Sequence, residues 1–349
     1  YYSIYNIKKE KWKEKDAIHA FRELFFDSVQ IRTRADVPYG VGLSGGLDSS
    51  AVLFGIKEML DKKGNKEKPF TFSAVFPGNE EDESKYVKQV LDKIPSNSFF
   101  TNPLKEFSQS DFNKHVYHQE ILPTTTAYFS QYKVAELVKK QNVKVLLVGQ
   151  GADEVFAGYH EHFHMYIRET LLRLSFLSSI KQILFYSKIK SFSKHELFAR
   201  AYSELKLGLH SIFNDSKVPY PLNINTLKKY LMADFSKLQL PVYLNSDDRT
   251  SMAHSIETRH PFLDFRLVEL GYSLPNSLLL KDGWQKWLIR KSMNQLPDSV
   301  SWRKDKRGFS NPQSEIISRN EDFFKTEKSS KEVLGINKKV LEIFKKHYS

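Results

Sequence analysis

The spacing of apolar residues predicts alternating helices and strands through the first half of the chain. Ile18, Phe21, Leu24, Phe25 and Val29 fall on one face of a helix over Ala17 to Arg34. Pro38 to Leu43 reads as a short strand, and from Ser49 to Leu60 the spacing is helical again. Pro69 to Phe76 is a second buried strand. Asp82 can cap a helix running through Leu91, and Ser98 to Thr101 is a third strand. Helices are expected over Leu104 to His118 and Ala127 to Lys140. Lys144 to Val148 is a fourth, strongly apolar strand. Beyond His164 only helical patterns are read: Thr170 to Lys188, His195 to Leu209, Leu227 to Lys237 and Trp284 to Leu296. Strands alternating with helices predict an α/β fold with a doubly wound parallel sheet and a helical C-terminal half. The expected division is 1–16 as a polar linker, 17–163 as the α/β core and 164–349 as the helical part.

Two strands run into glycine turns. The first gives Val41-Gly-Leu-Ser-Gly-Gly-Leu-Asp-Ser-Ser50. Gly45 and Gly46 allow consecutive N–H groups to face an anion at a helix N-terminus. Ser44, Ser49 and Ser50 add hydroxyl donors, and Asp48 stands where Mg²⁺ would meet phosphate oxygens. The Walker A lysine is missing, so this is a different phosphate loop. The second strand ends in Gly149-Gln-Gly-Ala-Asp-Glu-Val-Phe-Ala-Gly-Tyr159. There Asp153 either shares a Mg²⁺ with Asp48 or, with Glu154, only favours the helix dipole. Asp48 or Ser49 as a plain helix cap is the corresponding reading of the first turn.

Composition narrows the chemistry. The 349 residues suffice for a large core, and there is no cysteine, hence no disulfide, thiolate metal site or thiol nucleophile. That suits the cytoplasm. The most apolar region, Met165 to Tyr186, carries Arg168, Glu169, Arg173 and Lys181 and cannot span a bilayer. A net charge of +12 permits a polyanionic partner, but the basic residues are scattered among acids, as from Lys325 to Lys346. His160-Glu-His-Phe-His164 matches H-E-x-x-H but continues a glycine-loop motif and lacks an evident third zinc ligand.

Ser44-Gly-Gly-Leu-Asp-Ser49 resembles the pyrophosphate loop of the ATP pyrophosphatases, the adenine nucleotide alpha hydrolase-like fold. Three further stretches resemble, in order, motifs of the glutamine-hydrolysing asparagine synthetase family. They are Gly149 to Tyr159, Asp247-Asp-Arg-Thr-Ser-Met-Ala-His-Ser-Ile-Glu-Thr-Arg-His-Pro-Phe-Leu-Asp264, and Trp302-Arg-Lys-Asp-Lys-Arg-Gly-Phe309. The resemblance implies an amide ligase. A carboxylate, aspartate first, attacks ATP to give an acyl-adenylate and pyrophosphate, and ammonia then displaces AMP. The alternative is a related amidotransferase or cyclase acting on another carboxylate, such as a sugar acid, a peptide or a β-lactam precursor. By the same resemblance Ser44, Gly45, Gly46, Asp48 and Ser49 hold pyrophosphate, and Asp48 and Asp153 ligate Mg²⁺. Leu43, Val75 and Gly149 line the adenine pocket, and Lys306 stabilises charge at the α-phosphate. Arg249, Glu257 and Arg259 are further candidates; Glu257, Arg259 and Asp264 read equally well as a structural charge network.

Two departures bear on the second half-reaction. Gln150 stands where the family usually has an acid thought to help deprotonate ammonia, and an amide takes no proton. Ala127 stands where asparagine synthetases carry an arginine, so a carboxylate clamp is absent there. Family members begin with a glutaminase domain whose N-terminal cysteine releases ammonia. Tyr1-Tyr-Ser-Ile-Tyr5 resembles the stretch that joins the two domains. Ammonia is therefore expected from a glutaminase domain upstream on a longer polypeptide; the alternative is a stand-alone ligase that uses free ammonia or a partner's glutaminase. The expected partners are the small carboxylate and ammonia, with a homodimer allowed and neither nucleic acid nor membrane.

Overall fold

The structure is a computed structural model that describes residues 3–120, 125, 127–173, 175–190, 226–304 and 312. Five strands form one parallel sheet: β1 (Tyr39–Gly42), β2 (Phe70–Ala74), β3 (Asn97–Thr101), β4 (Val145–Leu147) and β5 (Glu257–Arg259). Their order is β3-β2-β1-β4-β5. The chain winds outward from β1 through β2 to β3, then returns to place β4 on the other side of β1, with Val41 level with Leu147. The reversal leaves a crevice between the C-terminal ends of β1 and β4, where open α/β sheets bind ligands.

Helices cover both faces because the strands are apolar on both sides. On one face α1 (Glu14–Arg32) and α2 (Leu47–Lys62) bury Phe21, Phe25, Val29, Leu53 and Ile56 against Val41 and Leu147. On the other, α5 (Ala127–Lys140) seats Val134 and Val138 against Phe72, Leu146 and Val148. The remaining helices of the first half are α3 (Ser84–Lys93) and α4 (Gln109–Gln119). Then come α6 (Ala152–Phe156), α7 (His160–Leu172) and α8 (Phe176–Lys190). In the second half α9 (Leu227–Ser236), α10 (Gln239–Met252), α11 (Phe265–Ser273), α12 (Asn276–Leu279), α13 (Trp287–Ser292) and α14 (Asp298–Ser301) follow.

All four expected strands form. The region read as purely helical supplies a fifth, because Glu257-Thr-Arg259 pairs in parallel with β4. Three residues of alternating polarity carry too little apolar signal to mark a strand; its partner defines it. The expected helix from Leu104 starts at Gln109, where the Ser108 side chain accepts from Asp111 N–H at 3.1 Å. The expected helix over Thr170 to Lys188 is broken between Leu172 and Phe176 into α7 and α8. The one over Trp284 to Leu296 shrinks to α13, with Lys286 ahead of it at φ 52°. The one over His195 to Leu209 lies outside the described residues. No helix among the described residues is long and apolar enough to cross a membrane.

His115 of α4 is wholly buried among Phe112, Phe129 and Tyr132, with ring centroids 5.4 to 6.3 Å away. Neither of its nitrogens has a hydrogen-bond partner among the described residues. Burial, helped by the charges of His118 and His254, holds its pKa down at about 3. Burial likewise lowers His254 to about 4. Above the unfolded value near 6.5 both rings are neutral in either state and contribute nothing. Below it the unfolded chain binds protons that the folded chain refuses, so stability falls until the folded values are reached. His115→Leu should flatten this acid-side loss by up to about 1.4 kcal/mol per pH unit below pH 6.5. Melting temperatures from pH 7 to pH 4 would measure it; parallel curves for the two proteins would refute it.

Candidate active site

The turn after β1 is fixed by its own hydroxyls. Ser44 N–H donates to Ser49 Oγ at 3.2 Å, the two serine hydroxyls lie 3.0 Å apart, and Ser73 Oγ donates to Leu43 O at 2.7 Å. Gly45 sits at φ 75°, with the backbone of Val87 2.8 Å from where a Cβ would stand. Any other residue would strain the turn and strike α3. Gly46 caps α2, so the N–H groups of its first turn open toward the crevice. The turn after β4 packs directly on the first, since a Cβ at Gly149 would lie 2.9 Å from Asp48 Cβ and from Ser49 N.

Lys286 joins the two turns. Its Nζ lies 2.6 Å from Asp48 Oδ2 and 2.6 Å from Asp153 Oδ1, and the residue is 1% exposed. Arg290, one turn on along α13, is also buried and donates to the carbonyls of Gln285, at 2.7 Å, and Ser301. Burial lowers its pKa to about 10 against the attraction of Asp48 and Asp153. Two acids thus face two cations and the cluster is close to neutral. Gly158 makes room for it, because a Cβ there would stand 1.7 Å from Asp153 Oδ1 and 2.1 Å from Lys286 Cε. Behind Asp153, Glu154 accepts from the Tyr159 hydroxyl at 2.6 Å. Burial first, then the Asp153 charge, pushes Glu154 up to about 7. The same causes raise Tyr159.

These turns open on a cavity of about 550 Å³. Of the residues expected from the sequence, Leu43, Ser44, Gly46, Asp48, Ser49, Gly149, Gln150 and Asp153 line it. Gly45 and Val75 do not; Phe72 and Ala74 of β2 do. Arg249 turns away to Glu120 and Asn245. Arg259 pairs with Glu257 at 2.8 Å and donates to the carbonyls of Arg32 and Arg34. Asp264 binds Arg32 and Arg266, whose hydrogen bonds outweigh burial and hold it at about 2. Lys306 lies outside the described residues. His162 of the H-E-x-x-H stretch is paired with Asp234 at 2.7 Å, and His160 meets the Tyr186 hydroxyl. No group of three or more histidine or acidic side chains among the described residues is arranged to hold a metal.

Lys286 is the residue that sequence reasoning missed. In the expected helix it would be one more solvated lysine. Its left-handed backbone turns the chain at that point, and α13 begins only after it.

The family model described as asparagine synthase matches residues 20–349. The chain belongs to that family. Its parallel sheet is accordingly of the ATP pyrophosphatase type. It is 28% identical over 335 residues to asparagine synthetase [glutamine-hydrolyzing] 1 of Bacillus subtilis, covering 88% of this chain and 51% of that protein. It is 36% identical over 172 residues to putative asparagine synthetase [glutamine-hydrolyzing] 2 of Methanocaldococcus jannaschii, covering 48% and 31%. To amidase chyE of Penicillium rubens it is 24% identical over 361 residues, covering 86% and 53%. The chain spans about half the length of the first of these relatives, or less. Family membership supports an amide ligase.

Lys286→Met should leave Asp48 and Asp153 facing each other without their buried cation. The expected cost is about 3–5 kcal/mol, read as a melting temperature several degrees lower. An unchanged melting temperature would show that the lysine charge does not hold the two turns together. Gly158→Ala should disturb the same pair and lower the melting temperature as well; a wild-type value would contradict that.

Proposed function

We propose that this chain adenylates a carboxylate with ATP, releases pyrophosphate and lets ammonia displace AMP to give an amide. The observation that carries the reading is the pair of glycine turns at the β1–β4 crevice, with Asp48 and Asp153 drawn around Lys286. Ser44, Gly45, Gly46 and Ser49 would hold the pyrophosphate through backbone N–H groups and hydroxyls. Leu43, Phe72, Ala74 and the backbone of Gly149 would hold the adenine. Asp48 and Asp153, which lie close enough to share Lys286, would ligate Mg²⁺, which takes one or two protein carboxylates beside phosphate oxygens. When bound it would neutralise phosphate charge.

Lys286 would hold both acids in place and add positive charge beside the phosphates, and Lys306 would add more at the α-phosphorus. Little protein covalent chemistry is needed, since positioning and charge neutralisation suffice for attack at phosphorus. Gln150 would orient the nucleophile by hydrogen bonds without taking its proton. Ammonia would come from a glutaminase, on this polypeptide or another, and the reaction fits the cytoplasm.

The test is pyrophosphate and AMP release from ATP·Mg²⁺ with ammonium chloride and a panel of carboxylic acids that includes aspartate. Acid-dependent release with amide formed is expected. Asp48→Ala and Lys306→Ala should each lower it by about 100-fold or more with the fold intact by circular dichroism. Full activity in either variant would show that the site is wrongly assigned. ATP cleavage to ADP in place of AMP would discard the reaction class.

A further inference from the structure

Glu83 lines the cavity together with Ser44, Gly46, Asp48 and Ser49. It directly precedes α3, whose first turn abuts the turn after β1. A Cβ at Gly45 would lie 2.8 Å from Val87 N and 2.9 Å from Tyr86 Cβ. A carboxylate so close to that turn would repel a polyanion unless a cation met it. Arg303 meets it. Its Nη1 lies 2.6 Å from Glu83 Oε1, and its guanidinium carbon sits 3.8 Å from the centre of the Tyr86 ring. The two charged side chains are only 7% and 14% exposed, so water and salt screen the pair weakly.

The chain around Arg303 holds it in place. Ser299 Oγ donates to Gln89 Oε1 of α3 at 2.6 Å. The Ser301 carbonyl accepts from Arg290, and the Ser301 hydroxyl donates to Met293 O at 3.2 Å. The Trp302 ring stands edge-on to Trp284 and Trp287, with centroids 5.2 and 5.7 Å away. α14 is thereby fixed between α3 and α13, the helix that follows Lys286. Arg303 does for Glu83 what Lys286 does for Asp48 and Asp153, and its planar guanidinium also stacks on Tyr86.

We infer that Arg303 is a positioning residue for ATP: it cancels the charge of Glu83 and seats α3 against the turn after β1. This rests on the ligase reading above, in which that turn receives the phosphates. Arg303 does not itself line the cavity, so it acts through Glu83 and Tyr86. With the pair intact, the phosphates meet a wall of no net charge beside α3. With the arginine gone, they meet a bare carboxylate; with the acid gone, they meet an arginine that nothing offsets at that point.

A charge cycle separates this role from a merely structural pair, which would weaken nucleotide binding whichever partner is lost. The Kd for ATP·Mg²⁺ is measured by isothermal titration calorimetry for the wild type, Arg303→Met, Glu83→Gln and the double variant. Arg303→Met should weaken binding by about fivefold or more. Glu83→Gln should bind ATP·Mg²⁺ several-fold more tightly than the wild type, and the double variant should recover most of what Arg303→Met loses. In pyrophosphate release, Arg303→Met should raise the KM for ATP by a larger factor than it lowers kcat. Weaker binding by Glu83→Gln would overturn the inference, and this variant decides it even where Arg303→Met does not fold. A double variant no better than a folded Arg303→Met, or unchanged affinity in Arg303→Met, would also overturn it and leave the ligase reading standing. A wild-type protein that binds no ATP·Mg²⁺ would overturn the reading and the inference together.

Discussion

The site depends on one buried ammonium group held between two carboxylates. Asp48 and Asp153 come from turns that leave neighbouring strands, and like charges that close repel unless something positive stands between them. Lys286 supplies that charge where water cannot, and Arg290 balances the remainder. Taking these groups out of water is costly, so the pairing is better understood as fixing a geometry than as adding stability. What it fixes is the distance between the turn after β1 and the turn after β4. The sheet brings the two near each other, and the lysine sets how they meet.

The glycines serve the same arrangement from the backbone side. Gly149 lets the second turn lie on Asp48, and Gly158 leaves the volume that the Asp153–Lys286 pair occupies. Neither role is about local flexibility; each concerns an atom that would otherwise be in the way. The hydroxyls of Ser44, Ser49 and Ser73 then pin the first turn, with Ser44 and Gly46 N–H donating to hydroxyls of the turn itself. A site arranged in this way need not reorganise much when charge develops in it.

The strands and the two turns were legible because their signals are local: apolar runs that end in glycine, followed by helical spacing. β1 to β4, Asp48 and Asp153 all follow from that pattern. β5 was not legible, because Glu257-Thr-Arg259 is a strand only by virtue of lying beside β4. Lys286 was hidden for a related reason. Nothing within several residues marks it off from the other lysines, and its importance comes from two acids far away in the chain. Arg249 and Arg259 show the converse. Their motif drew attention to them, and the fold uses both away from the cavity, to hold helices and strand ends in place. Motif membership identified the family correctly while leaving open which of its residues face the ligand.

The salt link between Asp48 and Lys286 spans 238 residues of chain. During synthesis the turn after β1 and its helix leave the ribosome long before the lysine that pairs with Asp48. At about 5–20 residues per second the interval is on the order of tens of seconds. From the synthesis of β4 until that of β5 the outer edge of β4 is also an unpaired parallel edge. The nascent chain therefore carries two unpaired acids and an open sheet edge until β5 and Lys286 arrive. A polypeptide truncated before Lys286 would hold both acids without the cation that pairs them.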